Sequence, residues 1–377
     1  MRCTRREAIG AAVAAWPALR AARAAAMPAT EPDGLELRRG IDLTPNGVIR
    51  PGTPQDYREL RAQPWSAPLI ARASHIRFWA DWPALQPTPA ALDDPANPGR
   101  PSLEALDAQV DAARADGLGV ILMPYRYPQW VNGATEEVDK AAPAYVLPDS
   151  GHGPYSPWAA FVEALWARYA GRMTHFEVVN EPNLQLRPQP GVAERVAVML
   201  TTVDAVARRH DLAATCLAPS CSDARVDTSE RFTPQAAFAD QLLRALDAAG
   251  FAGGAHWIWS LHDYNETESG GGGIDALRAQ LAGRWRGARA PDGGPLLYAT
   301  EGGVRLGFVE KRLGGNPPRG AVLEEQARLI TAALERAART AGLGLHTQYT
   351  VQADPNYDCG LRETGGAARP AFAAYVA

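Results

Sequence analysis

Eight short apolar runs are interleaved with helix-patterned segments between residues 36 and 376, and no other feature limits the fold as tightly. Strand-like runs fall at 36–43, 74–79, 117–124, 175–181, 214–220, 255–261, 296–300 and 344–351. The β-branched, uninterrupted apolar run at 117–124 suits a parallel strand covered on both faces. Helix patterns occupy 102–115, 157–169, 193–210, 234–249 and 323–341, and 367–376 closes the chain. In the first of these, Leu103, Leu106, Val110 and Ala113 share one face, with Ser102 placed as the cap. Gly342 follows the last long helix as its terminator. Strands that each lead into a helix predict an α/β domain with a parallel sheet. Eight such units over roughly 340 residues predict a single (β/α)8 TIM barrel. No internal repeat or linker divides the chain.

The first 26 residues stand outside this pattern. Thr4-Arg5-Arg6-Glu7-Ala8-Ile9-Gly10, an alanine-rich run to Leu19 and the small residues Ala24-Ala25-Ala26 read as a twin-arginine-type signal peptide. The alternative is an arginine-rich amphipathic helix that stays on the protein. The signal reading predicts export to the periplasm or the cell exterior, with 27–377 as the mature domain. The apolar stretch is too short to span a bilayer and no other run is long enough, so no stable membrane insertion is expected once the signal is removed. Its loss takes five arginines and one glutamate with it, moving the net charge from −4 to −8. An acidic chain without a basic stripe is a poor partner for nucleic acid. Of four cysteines, Cys3 leaves with the signal, and Cys216, Cys221 and Cys359 match no zinc spacing and dictate no pairing.

Two strands end on a carboxylate followed by a breaker. His175-Phe176-Glu177-Val178-Val179-Asn180-Glu181 runs into Pro182, and Leu296–Thr300 runs into Glu301-Gly302-Gly303. In a parallel barrel the reacting groups gather at the carboxyl ends of the strands. A pair of carboxyl groups there is what hydrolysis of a glycosidic bond needs, one to protonate the leaving oxygen and one to attack the sugar carbon. Either glutamate alone would also fit a strand-end residue that faces water.

The segment Phe176-Glu177-Val178-Val179-Asn180-Glu181-Pro182-Asn183-Leu184 resembles the acid/base signature of the clan A glycoside hydrolases, particularly families 5 and 39. Thr300-Glu301-Gly302 resembles the clan's nucleophile motif, and the likeness extends from about residue 36 to the C-terminus. It implies a retaining hydrolase of β-linked glycosides, with Glu181 as acid/base, Glu301 as nucleophile, and an oligosaccharide or polysaccharide as substrate. That chemistry requires neither metal nor cofactor.

The resemblance also implies substrate-side roles for Asn180, His262, Tyr264 and Arg77. Asn180 would contact the sugar 2-hydroxyl, which requires a twist or bulge to bring it beside Glu181. Tyr264 would hydrogen-bond the nucleophile, with His262 on the same face of the sixth strand and Trp257 and Trp259 on the other. Arg77 would favour the ionised nucleophile; an internal salt bridge, to Glu177 for instance, is the plainer role for an arginine in a strand. Trp79, Trp82, Tyr125, Tyr127, Trp130, Tyr349 and Tyr357 crowd the predicted mouth, and Tyr125 and Trp130 are expected as subsite walls. Tyr125-Arg126-Tyr127-Pro128-Gln129-Trp130 departs from the histidine common in family 5, and Tyr349 and Gln352 stand where many clan members carry tryptophan. Three rivals remain: a carbohydrate-binding barrel without catalysis, a transglycosylase, and a metal-dependent hydrolase using His256, His262 and Asp263.

Overall fold

A computed structural model describes residues 35–43, 57–133, 156–184, 191–224, 232–354 and 357–377. The expected signal segment lies outside them. Eight parallel strands close into a barrel: Arg38–Asp42, His75–Asp81, Gly119–Tyr125, His175–Glu177, a fifth in two pieces, Trp257–His262, Leu297–Gly302 and Leu343–Gln348. The first strand pairs with both the second and the eighth, and the fifth pairs with the sixth, which seals the ring. The fifth strand breaks into Thr215–Leu217 and Cys221–Ser222 around Ala218-Pro219-Ser220. Pro219 has no N–H to give to a ladder, so the pairing lapses there. Both pieces lie parallel to the sixth strand.

The helices cover the ring with the faces their periodicity predicts. Leu103, Leu106, Val110 and Ala113 are all buried in the helix Arg100–Ala115. That helix starts ahead of the expected cap, because Gly99 takes the cap position and Pro101 sits in the first turn, where its missing N–H costs nothing. A Cβ at Gly99 would lie 2.1 Å from the Leu85 carbonyl oxygen, so only glycine fits that crossing. Ser156 caps Pro157–Tyr169 by accepting the Ala159 N–H at 3.2 Å. Gly342 does not cap the long helix, which runs Arg319–Arg339. It makes the turn into the eighth strand at φ +75°, where its carbonyl accepts the Leu297 N–H at 2.8 Å.

Trp257 and Trp259 face the helix layer, as alternation predicts. Their rings pack against Phe251 and Trp285, each at 5.2 Å between centroids. The sixth strand itself is shorter than expected. It ends at His262 after a register shift, and Tyr264 opens a separate six-residue helix, Tyr264–Ser269.

Candidate active site

The fourth strand leaves its ladder after Glu177, four residues before Glu181. Val178 and Val179 continue the apolar pattern but not the regular pairing, and Asn180 rejoins the sheet through a single bridge to Ser220. Glu181 then takes φ 39°, its N–H donating to the Ser220 carbonyl at 3.0 Å. A left-handed glutamate directly before a proline is doubly disfavoured, and backbone of this kind concentrates where a side chain must be aimed. The irregularity turns Glu181 into the mouth of the barrel, where it lines a cavity of about 430 Å³ together with Asn180 and Glu301.

Arg77, on the second strand, is the fixed cation of this end and is fully buried. Its Nε donates to Glu177 Oε2 at 2.7 Å and its Nη2 to Glu177 Oε1 at 3.0 Å. Nη2 also reaches Asn180 Oδ1 at 2.8 Å. Nη1 is shared between Asp42 Oδ2, at 2.8 Å, and Glu301 Oε1. Arg77 therefore pairs with Glu177 and also contacts Glu301. Burial opposes the guanidinium charge, but the carboxylates of Glu177, Glu301 and Asp42 override it and keep the group charged. Glu177 also accepts from the hydroxyls of Ser220 and Thr300, so its charge is consumed inside the barrel.

Glu301 projects from the end of the seventh strand. Tyr264 Oη donates to its Oε2 at 2.9 Å. His262 Nδ1 lies 2.9 Å from Glu181 Oε1 and 3.4 Å from Glu301 Oε2. One ring nitrogen thus bridges the two glutamates, and those two oxygens can be no farther apart than both distances combined, about 6.3 Å. Burial pushes the Glu301 carboxyl above its ordinary range, and the nearby Glu181 adds to this, while His262, Arg77 and the Tyr264 hydroxyl pull the other way. For His262 burial disfavours the charge, but the charges of Glu301 and Glu181 prevail and raise it.

Among the aromatic residues named from sequence, Trp79, Tyr125, Tyr349 and Tyr357 line the cavity beside Tyr264. Trp79 and Tyr125 meet edge to face at 4.4 Å, and the Trp79 indole N–H is fixed by Asp42 Oδ1 at 2.7 Å. Trp82 and Tyr127 belong to the core. Trp130 does not reach the cavity. Its ring packs edge-on against Trp82 at 6.2 Å, and its N–H donates to the Gln86 carbonyl at 3.0 Å. The three residues of the metal-dependent alternative diverge: His256 bonds Asp204 at 2.7 Å, His262 serves the glutamates, and Asp263 lies 3.4 Å from His346.

Four lining or supporting residues escaped the sequence reading. Asp42 ends a strand whose two leading arginines, Arg38 and Arg39, hide the apolar pattern that marks Glu301. Asp223, Asn265 and Arg305 follow strands five, six and seven, Asn265 within the short helix Tyr264–Ser269, with no pattern to mark them, and all three line the cavity.

The closed parallel barrel thus brings two carboxyl groups together at its strand ends. No family model and no curated protein matches the sequence. Solved structures do match the fold. GH5_18 from Streptomyces cattleya, in complex with Manβ1-4GlcNAc, aligns with a TM-score of 0.59 and 19% identity over 90% of this chain and 79% of that one. A family 39 glycoside hydrolase from Bacteroides cellulosilyticus WH2 aligns with a TM-score of 0.54 and 16% identity over 91% and 64%. An endo-β-1,4-glucanase from Xanthomonas axonopodis pv. citri aligns with a TM-score of 0.51 and 15% identity over 90% and 98%. Families 5 and 39, which the two motifs resemble, are the families of the first two of these neighbours.

Proposed function

We propose that the chain is a retaining glycoside hydrolase acting on β-linked oligosaccharides or polysaccharides, with Glu301 as nucleophile and Glu181 as acid/base. The observation that carries this reading is the bridge through His262 Nδ1. It bounds the facing oxygens of Glu181 and Glu301 at about 6.3 Å. Facing oxygens this close are compatible with the carboxyl separation of about 5–5.5 Å that double displacement uses.

In the first step Glu301 attacks the anomeric carbon while Glu181 gives its proton to the departing glycosidic oxygen, leaving a glycosyl ester on Glu301. Water then loses a proton to Glu181 and attacks the same carbon, which frees Glu301 and restores the acid. Arg77 and Tyr264 donate to Glu301 and favour its ionised form against the cost of burial. Asn180 is held by Arg77 on the cavity wall and suits the 2-hydroxyl contact. Trp79, Tyr125, Tyr349 and Tyr357 offer apolar faces and edges for sugar C–H surfaces.

Proton NMR of the first-formed anomer tests the mechanism, across a panel of aryl β-glucosides, β-mannosides and β-xylosides together with cellulose and mannan oligosaccharides. Retention is expected; an inverted first product would refute it. Transfer to a sugar acceptor would appear in the same spectra as a longer product. A barrel that binds sugar without cleaving it would give no product and no label on Glu301 from a 2-fluoro glycoside. Export through the twin-arginine segment is a separate proposal, tested by fractionating cells that carry an Arg5→Lys, Arg6→Lys variant.

A further inference from the structure

The short helix Tyr264–Ser269 carries the hydroxyl that reaches Glu301, and the Tyr264 ring packs edge-on against Tyr357 and Tyr349 at 4.9 and 6.1 Å. On one side the helix meets the catalytic cavity, and behind it lies a second cavity of about 290 Å³ lined by Asp223, Asp263, Glu266 and Ile274 among others. An element that borders two voids has part of its surface without packed neighbours, so polar contacts take a larger share in placing its backbone. Six residues are also too few for a helix to persist on its own hydrogen bonds.

Its two ends are held differently. At the C-terminal end Arg336 Nη2 donates to the Glu266 and Thr267 carbonyls at 3.0 and 3.1 Å, and Glu268 grips Arg305 through Nε at 2.6 Å. At the N-terminal end the Asp263 N–H donates to the Glu301 carbonyl at 2.9 Å, and the Asn265 and Glu266 amides both turn to one side chain. Asp223, directly after the fifth strand, accepts the Asn265 N–H at 2.6 Å and the Glu266 N–H at 3.1 Å on Oδ2. Its Oδ1 and its own carbonyl both accept from Asn265 Nδ2 at 3.1 Å. A carboxylate brought from another strand thus satisfies the first free amides of the helix, where negative charge is favoured.

We propose that Asp223 is a positioning residue that holds Tyr264 against Glu301, so that loss of its carboxylate acts on the reaction through the Tyr264–Glu301 hydrogen bond. This rests on the reading of Glu301 as nucleophile. Without Tyr264's donor the ionised form of Glu301 is less favoured, so the acidic limb of kcat/KM moves to higher pH.

The test compares Asp223→Ala, Asp223→Asn, Tyr264→Phe and the Asp223→Ala/Tyr264→Phe double variant in the whole chain. The kinetic probes are 4-nitrophenyl β-glucoside and β-mannoside, and the second readout is hydrogen exchange of the 264–269 amides. Tyr264→Phe is expected to lower kcat/KM by about tenfold or more. Asp223→Ala should reproduce both that loss and the upward shift of the acidic limb, and should speed exchange at Asn265 and Glu266. Asp223→Asn, which keeps an acceptor, should fall between Asp223→Ala and the parent. In the double variant the two losses should not multiply, because the second change removes a contact already lost. Equal effects of Asp223→Ala with and without Tyr264, or unchanged exchange, overturn the proposal. If Glu301→Gln and Tyr264→Phe both leave hydrolysis intact, the nucleophile assignment fails instead, and exchange alone then decides whether Asp223 holds the helix.

Discussion

His175 and His262 are both buried inside one barrel, and the surroundings drive their charges in opposite directions. His175 sits toward the amino ends of the strands, with Nδ1 2.9 Å from Thr174 Oγ1 and its ring beside His75 and Tyr298 at 5.0 and 5.4 Å. Burial, helped by Arg38, lowers it to about 3. His262, at the other end, feels the same desolvation but faces Glu301 and Glu181, which raise it. Burial sets the cost of a charge, and the partner decides whether it is met. One end of the barrel therefore keeps its buried histidine neutral, and the other concentrates Asp42, Glu177, Glu181 and Glu301 around Arg77 and His262.

The contrast breaks hardest at Glu301. Glu301→Gln keeps the shape and removes the charge, so kcat on any hydrolysed aryl glycoside should fall on the order of 10⁴-fold, as losing a nucleophile does elsewhere. The thermal midpoint should not fall, since a buried carboxylate has been neutralised. Retained turnover in a protease-free, sequence-verified preparation would remove Glu301 from the centre.

Arg77→Met probes the cation that keeps the charged end folded. Glu177 and Asp42 would lose their shared partner while fully buried, and stranding charges in this way costs about 3–5 kcal/mol. Urea unfolding at neutral pH checks it. A loss under about 1 kcal/mol would mean that the hydroxyls of Ser220 and Thr300 already compensate Glu177, and that the charged end is less dependent on one cation than the bonding pattern indicates.

The barrel was legible because its signals are local and repeated. At 117–124 the run buried on both faces matches the observed Gly119–Tyr125 to within two residues, and the apolar stripe of 102–115 is the buried stripe of its helix. Glu181 and Glu301 were legible for a related reason, since a carboxylate closing an apolar run is conspicuous. The departures come from tertiary geometry. Val178 and Val179 look like strand, but Glu181 must turn inward and the ladder stops early. Tyr264 was expected on the sixth strand beside His262 and meets Glu301 from a helix instead. Trp130 follows a strand end as a subsite wall would, yet Trp82 and the Gln86 carbonyl draw it away. Asp223 and Arg305 depend on partners far along the chain, and nothing in their immediate neighbours announces them.

The finest test returns to the two histidines, because the same substitution should change acid stability in opposite senses. The folded His175 stays neutral down to about 3 while an unfolded histidine takes a proton near 6.5, so falling pH favours the unfolded chain across that interval. His175→Gln removes this term, and the variant should lose less stability than the parent between about pH 8.5 and 5.5. His262 is raised, so its contribution is complete below about 6.5 and fades as pH climbs through its folded value. His262→Gln should therefore be destabilised more at about pH 5.5 than at about pH 8.5 relative to the parent. Urea midpoints at the two pH values, read as differences from the parent, give both signs in one experiment. If the two variants shift in the same direction, burial alone governs histidine charge in this barrel and the glutamate pair does not hold His262 as its geometry implies.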